Sequence, residues 1–219
     1  MPLSRNMKTY SLNQLGRYPI YLKLLKELHE GGVEIVSSPL IAGRLGYSEE
    51  QVRKDLQNVS SEAGRPKKGR DIKLLIEDIE TFLGYRDSTS AILIGVGHLG
   101  SALLNFPAFS EMGLEILAGF DSDPSLLWKR VGGKEIFPIS MLKEILPRLN
   151  AHIAILTVPA KVAQEVALLA VDGGAKAIWN FAPAHLDLPP DIVVENVNLA
   201  SSLAVLSHRL NIALAKEEK

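Results

Sequence analysis

Three glycines at a fixed spacing follow an apolar run in the segment AILIGVGHLGSALLNF, residues 91–106. Gly95, Gly97 and Gly100 form the pattern G-x-G-x-x-G. In this pattern one glycine permits a tight turn, one lets the backbone approach a pyrophosphate, and one lets a helix pack closely on a strand. The chemistry that this spacing predicts is the binding of a dinucleotide by backbone N–H groups at a helix N-terminus.

The segments on either side of the glycines predict the elements that position them. AILI reads as a buried strand and HLGSALLNF as a helix, and the apolar run 114–121 reads as a second strand that ends at Asp121. An acidic residue at the end of that strand can bind the ribose hydroxyls of NAD and repels the 2′-phosphate of NADP. The sequence therefore predicts a Rossmann-like domain that binds NAD(H).

Further strands and helices alternate after residue 150, which indicates an α/β fold with a parallel sheet covered on both faces. In such sheets the loops at the carboxyl ends of the strands line the ligand crevice. We therefore expect the cofactor-binding residues in four of these loops. They are Gly95, Val96, Gly97, His98, Leu99, Gly100, Asp121, Ser122, Thr157, Val158, Pro159, Asn180 and Phe181.

The N-terminal part has the pattern of a helix-turn-helix. A helix over 18–31 is followed by two short amphipathic helices that meet at Gly46, and Ser48 has the position of an N-cap for the second of them. The second helix is predicted to expose Gln51, Arg53 and Lys54, the position from which such helices read the major groove. A small helical bundle with a charged outer face is the alternative interpretation.

A basic, turn-rich loop, EAGRPKKGRD, follows this helix at residues 62–71. It favours a wing that contacts phosphates or the minor groove, although a solvated linker has the same composition. Residues 1–73 carry a net charge of +5 and residues 74–219 carry a net charge of −6. This asymmetry also indicates that the N-terminal part binds DNA. The expected DNA-binding residues are Ser48, Gln51, Arg53, Lys54, Arg65, Lys67, Lys68 and Arg70.

The totals predict an intracellular protein of one or two domains. The chain has 219 residues, a net charge of −1 and no cysteine, and neither a signal peptide nor an apolar run long enough to span a membrane is apparent. We expect a cytoplasmic protein with a winged-helix domain at 1–86, a Rossmann domain at 87–198 and a C-terminal amphipathic helix at 199–219. That helix either closes its own domain or packs on a second subunit.

No acid–base group is evident for an enzyme. Of the histidines after residue 90, only His185 falls on a predicted ligand-side loop. We predict no catalytic residue and no metal site. An NAD- or CoA-dependent enzyme remains the alternative, because TVPA…GGAKAIWNFAP also resembles nucleotide-binding domains of acyl-CoA ligases. A scaffold with a vestigial nucleotide site is a third interpretation.

Nearly the whole chain carries, in order, the pieces GRYPIYLKLLKEL, QVRKDL, GVGHLGSALLNF, GFDSDP, TVPA, NFAP and VVENVNL. Together they make the chain resemble the Rex family of redox-sensing transcriptional repressors. The resemblance implies an N-terminal winged helix, a Rossmann domain that senses NADH against NAD⁺, and a homodimer with swapped C-terminal helices. It also implies binding to operator DNA when NADH is scarce and release by NADH. The two-fold symmetry of such a dimer predicts a palindromic operator.

The resemblance assigns a switch role to three positions, Arg17, Phe106 and Asn198. The family usually has Tyr at position 106, Asp at position 198 and, in the glycine loop, Asn where this chain has His98. In the family this Tyr and Asp pair across the dimer when NADH is bound, and the Asp meets the Arg in the other state. We therefore expect a redox response that is blunted or rebuilt.

Overall fold

The computed structural model describes residues 10–62, 69–86 and 89–217. The chain divides into two compact units, residues 1–87 and 88–219. Within the described ranges there is no helix of the length and apolarity needed to cross a membrane.

The first unit consists of five helices and one pair of very short strands within its described residues. Its elements are α1 (Leu12–Leu15), α2 (Tyr18–Glu30), β1 (Ile35–Val36), α3 (Ser38–Leu45), α4 (Glu49–Val59), β2 (Arg70–Asp71) and α5 (Ile72–Leu83). The strands β1 and β2 are antiparallel, so that the chain after α4 returns to the segment that precedes α3. This arrangement is that of a winged helix-turn-helix.

Local chemistry sets the boundaries of the helix-turn-helix. The Ser37 hydroxyl accepts a hydrogen bond from the Leu40 backbone N–H at 3.4 Å, at the start of α3. Gly46 ends α3 in the left-handed conformation, with φ of 71°. Ser48 then caps α4 by accepting from the Gln51 N–H at 3.2 Å, as the sequence predicts.

Apolar faces of α2 to α5 form the core of the first unit. Tyr18, Tyr21, Val52 and Leu56 are fully buried there. The helical spacing also predicts a buried Leu40, which is wrong, because this side chain is 40% exposed.

The second unit is a seven-stranded sheet with helices on both faces. Its elements are β3 (Thr89–Ile94), α6 (His98–Leu104), α7 (Ala108–Glu111), β4 (Leu114–Asp121), β5 (Arg130–Val131), β6 (Lys134–Pro138), a 3₁₀ turn (Ile139–Met141), α8 (Leu142–Leu149), β7 (Ile153–Leu156), α9 (Ala160–Asp172), β8 (Ala177–Asn180), β9 (Val193–Asn196) and α10 (Leu199–Glu217). The strand order is β5-β6-β4-β3-β7-β8-β9, and all neighbours are parallel except β5 and β6. The α/β fold predicted from the sequence is confirmed.

Alternating side chains of β3 point to opposite faces of the sheet. Ile92 and Ile94 pack with residues of α8 and α9, and Ala91 and Leu93 pack with residues of α6 and α7. In open α/β sheets of this kind, ligands bind in the crevice outside the carboxyl ends of the strands. The loops after β3, β4, β7 and β8 meet at this edge.

The helix α10 exposes its apolar side chains. Leu203, Leu206 and Leu210 are 61%, 64% and 54% exposed, and no described side chain of α10 up to residue 215 is buried. A row of exposed leucines of this length is unusual for a helix that faces water.

Candidate functional site

The chain approaches the end of β7 very closely at Gly95, the first residue after β3. Gly95 has φ of +96°, and a Cβ atom built on it would lie 2.8 Å from Val158 Cγ1 and 2.9 Å from the Thr157 carbonyl oxygen. The Thr157 hydroxyl donates a hydrogen bond to the Gly95 carbonyl oxygen at 2.6 Å. Only glycine fits this position, because both the backbone conformation and the space exclude a side chain.

The other two glycines have different surroundings. A Cβ atom on Gly100 would collide with the Gly95 carbonyl oxygen, so this glycine lets α6 pack against the end of β3. Gly97 is the N-cap of α6 and has nothing within 4 Å of its Cβ direction. The open side of Gly97 therefore leaves the backbone accessible to a phosphate, the arrangement that the spacing predicts.

The Asp121 carboxylate lies beside the glycine loop. Its Oδ2 accepts a hydrogen bond from the Val96 backbone N–H at 2.5 Å, and its Oδ1 accepts from the Asp123 N–H at 2.8 Å. A carboxylate oxygen has two acceptor sites, so each oxygen can accept one further hydrogen bond. The residue is partly exposed at the carboxyl end of β4, the position of a ribose-binding acid.

The predicted cofactor-binding residues divide into accessible and buried ones. The first group, exposed or partly exposed, consists of Gly95, Gly97, His98, Leu99, Asp121, Ser122, Thr157, Pro159 and Phe181. The buried group consists of Val96, Gly100, Val158 and Asn180. The side chains of the buried group serve the packing and positioning of the loops.

Asn180 shows how a buried residue of this set orders a loop. Its amide nitrogen donates to the Ala184 carbonyl oxygen at 3.0 Å and to Asn196 Oδ1 at 2.9 Å, and its own oxygen accepts from the Ala182 N–H at 3.0 Å. The side chain is 1% exposed and these bonds use its donors and its oxygen. Asn180 therefore fixes the loop after β8 and presents that loop's backbone and Phe181 to the crevice edge.

A row of aromatic rings joins Phe106 to this loop. Phe106 contacts Phe109 at a ring-centroid distance of 5.0 Å, Phe109 contacts Trp179 at 5.6 Å, and Trp179 contacts Phe181 at 5.0 Å. Phe106, one of the three predicted switch residues, is 48% exposed at one end of this row. A change around Phe181 thus has a packed route to position 106.

Asn198, the second switch position, caps the C-terminal helix. Its Oδ1 accepts a hydrogen bond from the Ser201 backbone N–H at 3.0 Å, just before α10 begins. Asp and Asn are equally good at this task, so either residue can start the helix.

The outer face of α4 carries the predicted DNA-reading residues Arg53 and Lys54, and both are exposed. Lys54 Nζ lies 2.7 Å from Glu50 Oε1 in an exposed pair one helical turn apart. The hydrogen bond to Lys54 lowers the pKa of the Glu50 carboxyl. Such an exposed pair is weak, so Lys54 can exchange Glu50 for a phosphate.

Arg17 lies beside a different face of α4, the face that carries Gln51 and Asp55. Gln51 is partly buried, whereas the sequence predicts an exposed side chain. Arg17, the third switch position, binds Asp55 of α4 in a bidentate ion pair, with Nε–Oδ2 at 2.7 Å and Nη2–Oδ1 at 2.9 Å. The sequence motifs alone do not connect these residues, because 38 positions separate Arg17 from Asp55.

The wing residues are only partly within the described structure. Arg70 Nη1 donates to the Glu62 carbonyl oxygen at 3.0 Å, and burial lowers the pKa of its guanidinium. Arg65, Lys67 and Lys68 lie outside the described residues. Across ranges 10–62, 69–86 and 89–217, His, Asp and Glu nowhere form a cluster of three that could hold a metal ion.

Two family models match separate parts of the chain. One is described as a putative DNA-binding protein N-terminus and matches residues 11–57. The other is described as a CoA binding domain and matches residues 86–184. The first match coincides with the helix-turn-helix, and the second with the sheet that carries the glycine loop.

Relatives resemble the chain over nearly its whole length. The redox-sensing transcriptional repressor Rex of Caldicellulosiruptor bescii is 37% identical over 97% of both chains. The crystal structure of RSP in complex with β-NAD⁺ and operator DNA is 31% identical, covers 96% of this chain and 97% of its own, and has a TM-score of 0.88. The structure of RSP in complex with β-NADH is 32% identical, covers 97% and 100%, and has a TM-score of 0.86.

Proposed function

Since the chain belongs to the Rex family of redox-sensing transcriptional repressors, we propose that it binds a palindromic operator DNA as a homodimer and that NADH weakens this binding. The single observation that carries this proposal is the full-length similarity, which covers both the helix-turn-helix and the nucleotide-type sheet. Members of this family are repressors rather than enzymes, so the family contradicts the interpretation as a CoA- or NAD-dependent enzyme.

The proposed cofactor is NAD(H), held at the carboxyl edge of the sheet. The open backbone at Gly97 faces the pyrophosphate, and the Asp121 carboxylate accepts hydrogen bonds from the adenosine ribose. Because Asp121 is negatively charged, the site disfavours the 2′-phosphate of NADP(H). Ser122, Thr157 and Pro159 are the accessible neighbours in the adjoining loops.

The proposed DNA-binding surface is the outer face of α4 with the wing that follows it. Arg53 and Lys54 enter the major groove, and the basic wing with Arg65, Lys67, Lys68 and Arg70 contacts phosphates or the minor groove. Ser48 serves this surface by capping α4. A repressor acts where the DNA is, so we place the protein in the cytoplasm.

The proposed dimer uses α10. The exposed row of leucines on this helix is the kind of surface that a second subunit covers, and swapping of the helices between subunits is what the family resemblance implies. Two α4 helices related by a two-fold axis would then read two half-sites, which is why we propose a palindromic operator.

The proposed switch is weaker than that of a protein with Tyr at position 106 and Asp at position 198. Phe106 lacks a hydroxyl and Asn198 lacks a charge, so a charge-assisted hydrogen bond between these positions cannot form. A ligand shifts an equilibrium only by its differential affinity for the two states. The loss of this contact therefore reduces the shift that NADH produces.

The experiment that tests the function begins with a duplex selected by the protein itself from a randomised library in the presence of NAD⁺. Binding to the selected duplex is then titrated with saturating NAD⁺ and with saturating NADH. A two-fold symmetric sequence that is bound with NAD⁺ and lost with NADH supports the proposal. Selection of no sequence at all contradicts it.

A further inference from the structure

A buried carboxylate lies on the helix proposed to read DNA. Asp55, on α4, is 3% exposed and is the only buried charged residue within the described ranges. A carboxylate is costly to bury, and on a DNA-reading helix it also repels phosphates. We therefore expect that partners on the inner side of α4 neutralise the charge of Asp55 and satisfy its hydrogen bonds.

Arg17, just before α2, and Tyr21, within α2, donate hydrogen bonds to the two oxygens of this carboxylate. Besides the bidentate pair with Arg17, the Tyr21 hydroxyl donates to Asp55 Oδ2 at 2.9 Å, and the Tyr18 hydroxyl donates to the Asp55 backbone oxygen at 3.1 Å. The Arg17 guanidinium is 16% exposed, and its hydrogen bond to Asp55 raises its pKa. The ion pair is thus shielded from water, and its bonds have fixed directions.

Arg17 also reaches one helical turn further toward the start of α4. In the amide orientation that satisfies both of its polar atoms, the Gln51 oxygen accepts from Arg17 Nη1 at 3.0 Å and from Nε at 3.1 Å. Arg17 Nη1 is anchored in turn on the Asn13 carbonyl oxygen at 3.1 Å. One guanidinium therefore contacts positions 51 and 55 of α4, which lie on the same face of the helix.

Two contacts one turn apart fix the rotation of a helix about its own axis. A rotation of α4 by one residue moves its outer face by about 100°. The bonds from Arg17 hold the inner face, and so they set where Arg53 and Lys54 point.

We propose that Arg17 and Asp55 are positioning residues that set the rotation of the recognition helix, and that Arg17 does not contact DNA phosphate. The positive charge of Arg17 is compensated within the first unit by Asp55, so this role needs no partner at position 198. The inference rests on the proposed DNA-binding function and adds to it the residues that orient the reading helix.

The proposal predicts an effect of opposite sign to simple electrostatics. Asp55→Asn removes a negative charge from α4, which by charge alone strengthens binding to DNA. If Asp55 positions the helix, the same change weakens specific binding instead. Glu49→Gln is the matched control, because it removes an exposed carboxylate from the first turn of the same helix.

The experiment titrates the full-length protein against its selected duplex and a scrambled duplex at several salt concentrations. For Asp55→Asn and Arg17→Lys we expect about tenfold weaker binding to the selected duplex, the size of a misplaced base contact. Affinity for the scrambled duplex should not fall in either variant, and the salt dependence should stay near the wild-type value. Arg17→Lys keeps the positive charge but should not keep the affinity for the selected duplex, because an ammonium group cannot make the bidentate bonds to Asp55. Arg17→Gln combined with Asp55→Asn should bind no more weakly than either single variant, because the two residues act as a unit.

The outcomes separate this inference from the function on which it rests. If the wild-type protein does not distinguish the selected from the scrambled duplex, the proposed function fails. If it does, but Asp55→Asn binds as tightly as Glu49→Gln, the positioning role is overturned. A fall of about one in the salt slope for Arg17→Gln would mark Arg17 as a phosphate contact and overturn it too.

Removal of one partner of a buried ion pair can unfold a small domain. Tyr21→Phe therefore serves as a second variant, because it deletes only the hydrogen bond to Asp55 Oδ2. Circular dichroism identifies which variants are folded. A folded Tyr21→Phe protein should bind the selected duplex severalfold more weakly, and unchanged binding would contradict the proposal.

Discussion

The Asp121 carboxylate and the Val96 backbone N–H are joined by a hydrogen bond of 2.5 Å, across 25 positions of the sequence. This bond ties the end of β4 to the glycine loop after β3, so the acid that we propose for the ribose also orders the loop that we propose for the pyrophosphate. Both parts of the nucleotide site are therefore held in one arrangement before any ligand binds.

Asp121→Asn should weaken NADH binding by about tenfold, because hydrogen bonds to a charged acceptor contribute about 1.5–3 kcal/mol. The variant keeps the size of the side chain and loses the charge that both loops use. Asp123→Asn is the control, since the Asp123 side chain bonds only to the neighbouring Ser125. NADH fluorescence titration measures both, and equal affinities would contradict the role of Asp121.

Gly100→Ala and Gly97→Ala should separate folding from binding. At Gly100 the methyl group collides with the Gly95 carbonyl oxygen, so we expect a loss of about 1–3 kcal/mol in the stability of the second unit. At Gly97 nothing lies within 4 Å, so stability is kept while the methyl group hinders the phosphate. The two tryptophans, Trp128 and Trp179, both lie in the second unit, and their fluorescence follows its unfolding. Tight NADH binding by Gly97→Ala would contradict the phosphate role.

The nucleotide site was predictable from the sequence where it depends on local pattern. The strand, the three glycines and Asp121 follow one another within about thirty residues, and each has a conformational or charge requirement that residue types reveal. Asn180 also ends a strand, and for this reason the sequence predicts that its side chain faces the ligand. Its amide is instead buried against Asn196, a contact that depends on how two separate strands pair.

The strands β5 and β6 have a recognisable signal in the sequence. Gly132 and Gly133 separate them as a two-residue glycine turn, which is typical of a hairpin, and both have positive φ. The pair of Arg17 and Asp55 had no such signal. Helical spacing places Asp55 on the inner face of α4, but its partner Arg17 lies 38 positions away, just before α2.

Alkaline pH should unfold the first unit before the second. Burial raises the pKa of Tyr18 from its usual value near 10 to about 12, and burial also raises the pKa of Tyr21. Between pH 10 and pH 12 the unfolded chain loses these tyrosine protons, whereas the folded unit keeps them. The contribution of these tyrosines to the free energy of unfolding is therefore fully present below pH 10 and is lost as the pH rises toward 12.

All five tyrosines lie in the first unit, so tyrosinate absorbance at alkaline pH follows that unit alone. Tyr18→Phe should make the midpoint of thermal unfolding less dependent on pH above 10. If the variant and the wild-type protein lose stability in parallel, Tyr18 is not the source of the alkaline sensitivity.

Polar substitutions on the leucine row of α10 should dissociate the dimer that we propose. Leu203→Gln, Leu206→Gln and Leu210→Gln together remove the apolar surface that the second subunit would cover. His208→Gln lies on the opposite side of the helix and should leave the dimer unchanged. Sedimentation equilibrium measures both, and a dimer that survives the triple change would show that the interface lies elsewhere.

The central claim is that this repressor couples NADH to operator release through a switch weakened at Phe106 and Asn198. The most direct measurement is operator occupancy against the ratio of NADH to NAD⁺ at constant total nucleotide. It compares the wild-type protein with a Phe106→Tyr, Asn198→Asp variant, which keeps the cap of α10. We predict that occupancy falls with rising NADH in both proteins and falls further in the variant. Occupancy that is indifferent to the ratio in both proteins would contradict the account.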